Sequence, residues 1–407
     1  MLKPVVACLL AFLCVPAVAG EAGDLARKHL YAGTLAEGLE ELRPFDERYD
    51  QEGRFGIGLI KFAQAVEHLA QGLYRHGFVA PGGGPIGPAM IIPVPANPDP
   101  EPISYDNVRE LLARLVTDMD EARTALLFAA DMGDYVMPVE VLKIRIDLDG
   151  DGSIAEEESI GGVLASLFGA LAPQDLPPDA TIGFDRADAY WLAGYSQVAA
   201  AQADYLLAHD FSELVNATFH RLFPAAGLPM QDHTRSTSTL MLDPQTDNAI
   251  ADALAAIHTL SFPVIEPPRL KRVLERLTGI TDLSRRNWEA ILLETDDNRE
   301  LIPNPGQTSL VPDAPVTEEM IAAWLATLDA ADRILSGELL VPHWRFQQGF
   351  DLKAYFENAT RTDFVMLITG YDALPFLKEG PVVSPDTFAE ANRVFGSSLW
   401  GYAFWFN

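Results

Sequence analysis

The chain has only two cysteines among 407 residues, Cys8 and Cys14, and both fall in its first fourteen positions. A disulfide framework and a catalytic thiol are therefore excluded from everything that follows. Basic residues are also scarce: 29 Lys and Arg stand against 58 Asp and Glu, for a formal charge of −29. That balance disfavours nucleic acid and anionic lipid as partners, and it welcomes divalent cations. The eight histidines form neither His-Glu-x-x-His nor His-x-His, so zinc chemistry has no motif to rest on. Gly-x-Ser-x-Gly is missing, and Gly82-Gly83-Gly84 is not followed by Lys-Ser or Lys-Thr, which removes a nucleophile elbow and a phosphate loop. Beyond the first twenty residues no apolar run approaches the roughly 18 needed to cross a bilayer, so no transmembrane segment is expected in the mature chain.

Those first residues have a pattern of their own. Lys3, an apolar run from Val5 to Val15 and the small residues Ala17-Val18-Ala19 predict a signal peptide over 1–19, with export to a periplasmic or extracellular space. Neither cysteine suits lipid attachment: Cys8 leaves the apolar run too short, and Cys14 follows the bulky pair Phe12-Leu13. The remaining residues, 20–407, are expected to form a mainly helical exported domain, and an apolar content of 48% suffices for a large core.

One stretch has residue types and spacing that commit to a definite chemistry. In 147–158 the acids Asp147, Asp149 and Asp151 stand at positions 1, 3 and 5, with Gly152 at 6, Ile154 at 8 and Glu158 at 12. This resembles the calcium loop of the EF-hand family, over twelve residues only. A hard cation of calcium's size takes six to eight oxygens at about 2.3 to 2.6 Å, and alternate carboxylates wrap half of that shell. The resemblance implies one Ca2+ held by Asp147, Asp149, Asp151, the Ser153 carbonyl and both oxygens of Glu158. It also implies a water near Ala155, with Ile154 pinning the loop to the core. Gly152 permits the positive φ of the bend. Glu156 and Glu157 are read as solvated charge, and Asp296-Asp297-Asn298 lacks the glycine and closing glutamate of a second loop.

The flanks depart from that family. Val139 to Ile146 alternates and is β-branched, predicting a strand entering the loop, while Glu158 to Phe168 predicts an exiting helix. A single, strand-entered loop fits a structural clip better than a switch that opens a helix pair.

Elsewhere the helical period dominates. Phe55, Leu59, Phe62, Val66, Leu69 and Leu73 make one stripe, preceded by a helix over 35–47, so 20–80 is expected to be a helical hairpin. The pair is similar to a tetratricopeptide unit, with Gly33 at the turn and Ala63 and Ala70 at crossings, but no second copy recurs. Residues 81–104 read as a long Pro/Gly-rich loop laid across the body, carrying Met90, Ile91, Ile92 and Val94. In 105–407, the calcium-loop and helical body, helices are predicted at 105–129, 185–209, 211–222, 247–259, 268–277, 284–295 and 317–336. The fold expected is a multi-helix bundle or array with a small β element at the calcium loop. Asp188 and Asp204 are candidates for buried pairing, Asp185 for approaching the calcium loop, and 399–406 for an aromatic tail docked on the core.

Catalytic constellations are thin. Asp232-His233-Thr234-Arg235-Ser236 holds the residue types of a hydrolase centre, but neighbours in sequence seldom form a triad. His343-Trp344-Arg345 has the chemistry to bind a carboxylate or sugar, although such trios more often serve the fold. The first reading is therefore an exported binding or scaffold protein with a structural calcium. The alternatives are a secreted hydrolase braced by calcium and a periplasmic carrier or sensor of calcium or lanthanide.

Overall fold

The protein is described by a computed structural model covering residues 20–80, 94–131, 133–163, 181–233, 238–308, 315–396 and 399–406. Predicted features at 1–19, 81–93, 164–180 and 234–237 lie outside them: the signal peptide, Met90 to Ile92, the end of the exiting helix and Ser236.

The described residues begin with three helices, α1 (Glu21–Ala32), α2 (Leu35–Glu47) and α3 (Gln51–Arg75), where the sequence had suggested a hairpin. Gly33 ends α1 at φ 70°, a value suited to glycine, and Asp50 caps α3 by accepting from Gly53 N. Next come α4 (Tyr105–Asp131), β1 (Met137–Glu140), the loop, β2 (Thr181–Phe184) and α5 (Arg186–Leu207). The second half contributes α6 (Ser212–Thr218), α7 (Pro244–His258), β3 (Ser261–Pro263), α8 (Pro267–Ile291) and α9 (Glu318–Leu335). The chain closes with β4 (Gly349–Phe350), α10 (Leu352–Asn358), β5 (Arg361–Asp363), α11 (Phe364–Thr369), β6 (Leu377–Lys378), α12 (Ala389–Phe395) and α13 (Leu399–Phe406). The fold is mainly α. Among the described residues the strands form three two-stranded antiparallel pairs, β1 with β2, β3 with β5 and β4 with β6.

Four long helices, α3, α4, α5 and α8, pack side by side in that order and form the spine. Helix α5 sits inside it and is buried nearly all round, as its alanines imply: Ala189, Ala193 and Ala200 are fully buried and let its neighbours approach closely. Its Asp204, wholly buried, is paired with Arg276 at 2.8 Å and Arg269 at 2.6 Å from α8. The charge is compensated as a network, since Arg276 also donates to Asp120 and Gln197.

Two expectations are corrected by packing. Residues 267–291 form one helix, not two, because Gly279 lies against Gln197 of α5, where an added Cβ would come within 3.1 Å of its amide. The glycine there serves a close approach rather than a break. The strand expected at 139–146 runs over 137–140 instead, with Met137 and Val139 fully buried. After it, Val141–Lys143 makes a 3₁₀ turn that brings Arg145 N–H to the Leu30 carbonyl at the end of α1. Helix α6 is likewise shorter than expected, followed by a 3₁₀ turn at Phe219–Arg221.

The C-terminal aromatics do dock as core. Phe406 is fully buried, with its ring 4.9 Å from Trp288 and 6.1 Å from Trp324, while Trp191 Nε1 donates to the Trp405 carbonyl. In the described part of the Pro-rich loop, Asn97 Nδ2 donates to the Tyr74 carbonyl and Glu101 N–H to that of Arg75, capping α3. Among the described residues no helix is long and apolar enough to cross a membrane.

Candidate metal centre

The acidic loop hangs between α1 and α3. Its own backbone holds the aspartates: Asp147 accepts from Gly150 N at 2.7 Å and Gly152 N at 3.1 Å, Asp149 from Asp151 N at 3.1 Å, and Asp151 from Ser153 N at 2.6 Å. Gly150 and Gly152, at φ 77° and 76°, make the two left-handed bends that turn those N–H groups inward. As a result Asp147, Asp149 and Asp151 each place one carboxylate oxygen within 4.8 Å of the others. Oxygens bound to one ion at about 2.4 Å lie no more than about 4.8 Å apart, so these three fit a single shell.

Glu158 stands outside that trio. It is buried, its Oε1 accepts from Leu148 N at 2.8 Å and its Oε2 from Ala155 N at 2.7 Å, so it closes the loop through N–H groups at both ends. Ser159 bridges Arg145 across the base of the loop, and a helical turn begins at Ile160. Ile154 is seated on Gly33, where any Cβ would fall 2.2 Å from its Cδ1.

Two residues of α3 that the motif does not contain anchor the entrance. Glu67 Oε2 accepts from Asp147 N at 2.9 Å, and Gln71 Nε2 donates to the Asp147 carbonyl at 2.9 Å. Burial, reinforced by the charges of Asp147 and Glu158, pushes the Glu67 carboxyl up to about 7. In the sequence Glu67 and Gln71 are two of several polar residues on α3, among them Lys61, Gln64 and His68, and nothing sets them apart. Beside the loop a polar cavity of about 300 Å³ is lined by Tyr74, Arg75, Asn97, Asp99, Glu101 and Asp149 among others.

Asp185 does not approach this loop; it belongs to a second acidic group. Asp185, Glu294 and Glu300 also bring one oxygen each within 4.8 Å of one another. Asp185 caps α5, accepting from Ala187 N, and Asp188 accepts from Asp185 N at 3.0 Å. Glu294 accepts from Gln307 Nε2, and Glu300 from Asn298 N. Burial first, and then mutual repulsion, raises the Glu294 carboxyl to about 9 and that of Glu300 to about 7. Burial, with the charge of Asp296, raises Asp185, and burial, with the charge of Asp185, strongly raises Asp188. These side chains are all pushed toward their protonated forms, and they hold the 294–308 segment against the start of α5.

The remaining candidates serve the fold. His343 Nε2, Trp344 Nε1 and Arg345 Nη1 donate to the successive carbonyls of Leu367, Ile368 and Thr369, capping the end of α11. Asp232 and His233 lie in an exposed turn. Comparison with known proteins finds no family model, curated sequence or solved structure that matches the chain.

Proposed function

We propose that this chain is an exported calcium-binding helical protein with a binding or scaffold role, in which one Ca2+ at the 147–158 loop is mainly structural. The observation that carries the reading is the convergence of the Asp147, Asp149 and Asp151 carboxylates within 4.8 Å on a loop held at its entrance by Glu67 and Gln71 and closed at its base by the Arg145–Ser159 bridge. Three negative oxygens this close repel one another, and a divalent cation with oxygen preference relieves that repulsion. Asp147, Asp149, Asp151 and the Ser153 carbonyl would hold the ion. Glu158 would join them by exchanging a backbone N–H contact for the metal. The ion's contribution is neutralisation of the loop. The chain's own contribution is the frame: Glu67, Gln71 and Gly33 with Ile154 fix the loop to α3 and α1, so stiffening it stiffens the joint between the N-terminal helices and the spine.

A ligand present at about a hundred times its dissociation constant stabilises a fold by about 2.7 kcal/mol. Calorimetric melting in calcium and in chelator tests this, with a midpoint about 3–5 °C higher in calcium as the expected result. Identical midpoints would remove the structural role.

A further inference from the structure

Helix α7 is built inside out. Its inward face, at 248, 252, 255 and 259, presents Asn248, Asp252, Ala255 and Thr259, with Asp252 held by Arg221 at 2.5 Å and 3.5 Å from His220 Nε2. The opposite face presents Ile250, Leu254 and Ile257, and no residue of the helix is buried. An amphipathic helix on a core does the reverse. Ahead of it, Leu240, Met241 and Leu242 extend the same apolar character, and the six side chains are 37% to 86% exposed.

This turn is ordered by design of its hydrogen bonds. Asp247 accepts from the backbone of all three residues, from Leu240 at 2.6 Å, Met241 at 3.0 Å and Leu242 at 3.1 Å, while Asp243 caps α7 through Gln245 and Thr246 N–H. Two carboxylates therefore fix three large apolar side chains in solvent, at the acidic, N-terminal end of the helix. Large apolar side chains gathered outward on one helix face and on the turn that leads into it mark an interaction site.

Its chemistry selects the occupant. Asp252 is neutralised by Arg221 and Glu266 by Arg109 and Arg269, so the negative charge beside the patch is that of Asp243 and Asp247, which among the described residues take backbone and hydroxyl donors at the start of α7. Together with the net charge of −29, this opposes a second copy and an anionic membrane alike. A stable self-dimer also needs about 20–30 residues on each side, far more than one short helix and a turn. The spacing of Ile250, Leu254 and Ile257, at i, i+4 and i+7, is that of a helix seated in an apolar groove. We propose that α7 and the Leu240–Leu242 turn dock into an apolar groove, edged by Lys or Arg, on a partner protein. The site is independent of the calcium loop, and the two proposals stand or fall separately.

The probe is a designed two-helix hairpin whose leucine-lined groove is edged by lysines, compared with a twin edged by glutamates, each titrated against the full chain at about 0.15 M salt. The lysine-edged hairpin is expected to bind and its twin not to. The triple variant Ile250→Ser, Leu254→Ser, Ile257→Ser should weaken binding at least about tenfold, as should Leu240→Ser with Leu242→Ser. Leu293→Ser, at an exposed apolar site elsewhere, should change nothing. Because the substituted side chains face solvent, circular dichroism and melting verify that each variant is folded. The proposal is overturned if the lysine-edged hairpin does not bind, or if folded variants bind it unchanged, which would leave charge attraction alone. It is equally overturned by a dimer in light scattering that the triple variant dissolves, or by flotation on phosphatidylcholine vesicles that the variant abolishes.

Discussion

The 147–158 loop and the Asp185, Glu294, Glu300 cluster both gather three carboxylates within 4.8 Å, yet they hold them in opposite ways. In the loop the acids come from alternate positions of one segment, lie at the surface and are each stabilised by backbone N–H groups. In the cluster they come from the start of α5 and from two points of a distant segment, and burial drives them toward the protonated form. The first arrangement presents its carboxylates toward solvent, whereas burial pushes the second toward its protonated forms. Burial, not proximity, separates the two groups: both take backbone N–H donors, and the second is the one whose carboxyls burial raises.

The largest effect is expected from removing the loop's charge. Asp147→Asn combined with Asp149→Asn should abolish the calcium-dependent rise in melting midpoint, leaving the chelator midpoint within about 1 °C of the parent. A surviving rise would move the ion elsewhere.

The cluster should instead answer to pH. The folded carboxyls of Glu294 and Glu300 titrate near 9 and 7, above the ordinary glutamate range, so between about 4.5 and 9 the native state holds protons that the unfolded chain has lost. Their contribution is complete below the unfolded value and is lost as pH rises through 7 and then 9. Denaturant unfolding at pH 5, 7 and 9 should show falling stability. Glu294→Gln with Glu300→Gln should flatten that slope, while the loop variant retains it.

Gly33→Ala comes next, since it combines a left-handed backbone with a Cβ that meets Ile154. A loss of about 2 kcal/mol is expected, together with weaker calcium binding, because the seat of the loop is disturbed. An equal loss of stability with unaltered calcium affinity would detach the seat from the site. The smallest effect is expected from Glu67→Gln, which keeps an acceptor for Asp147 N–H and deletes a charge beside the loop. Stability in chelator should rise by about 0.5–1 kcal/mol, and calcium affinity should drop by less than tenfold.

How much of this was legible follows from where each signal resides. The stripe of Phe55, Leu59, Phe62 and Leu73 gave α3, and the Ala-rich run gave a buried α5, because helical periods are local. The aspartate spacing was local too. Glu67, Gln71 and the seat of Ile154 on Gly33 were not legible as site residues, since each acts across a long stretch of chain. Asp185, Glu294 and Glu300 were invisible as a group for the same reason. The break expected between 277 and 284 does not occur, and Gly279 within it admits the side chain of Gln197 from α5, a close approach that sequence does not reveal.

Calcium titration calorimetry on the parent chain and on two variants tests the central claim most directly. The account predicts one calcium ion per chain in the parent, no binding in Asp147→Asn with Asp149→Asn, and unchanged binding in Glu294→Gln with Glu300→Gln. Absence of binding in the parent, or its loss in the second variant with retention in the first, would contradict it.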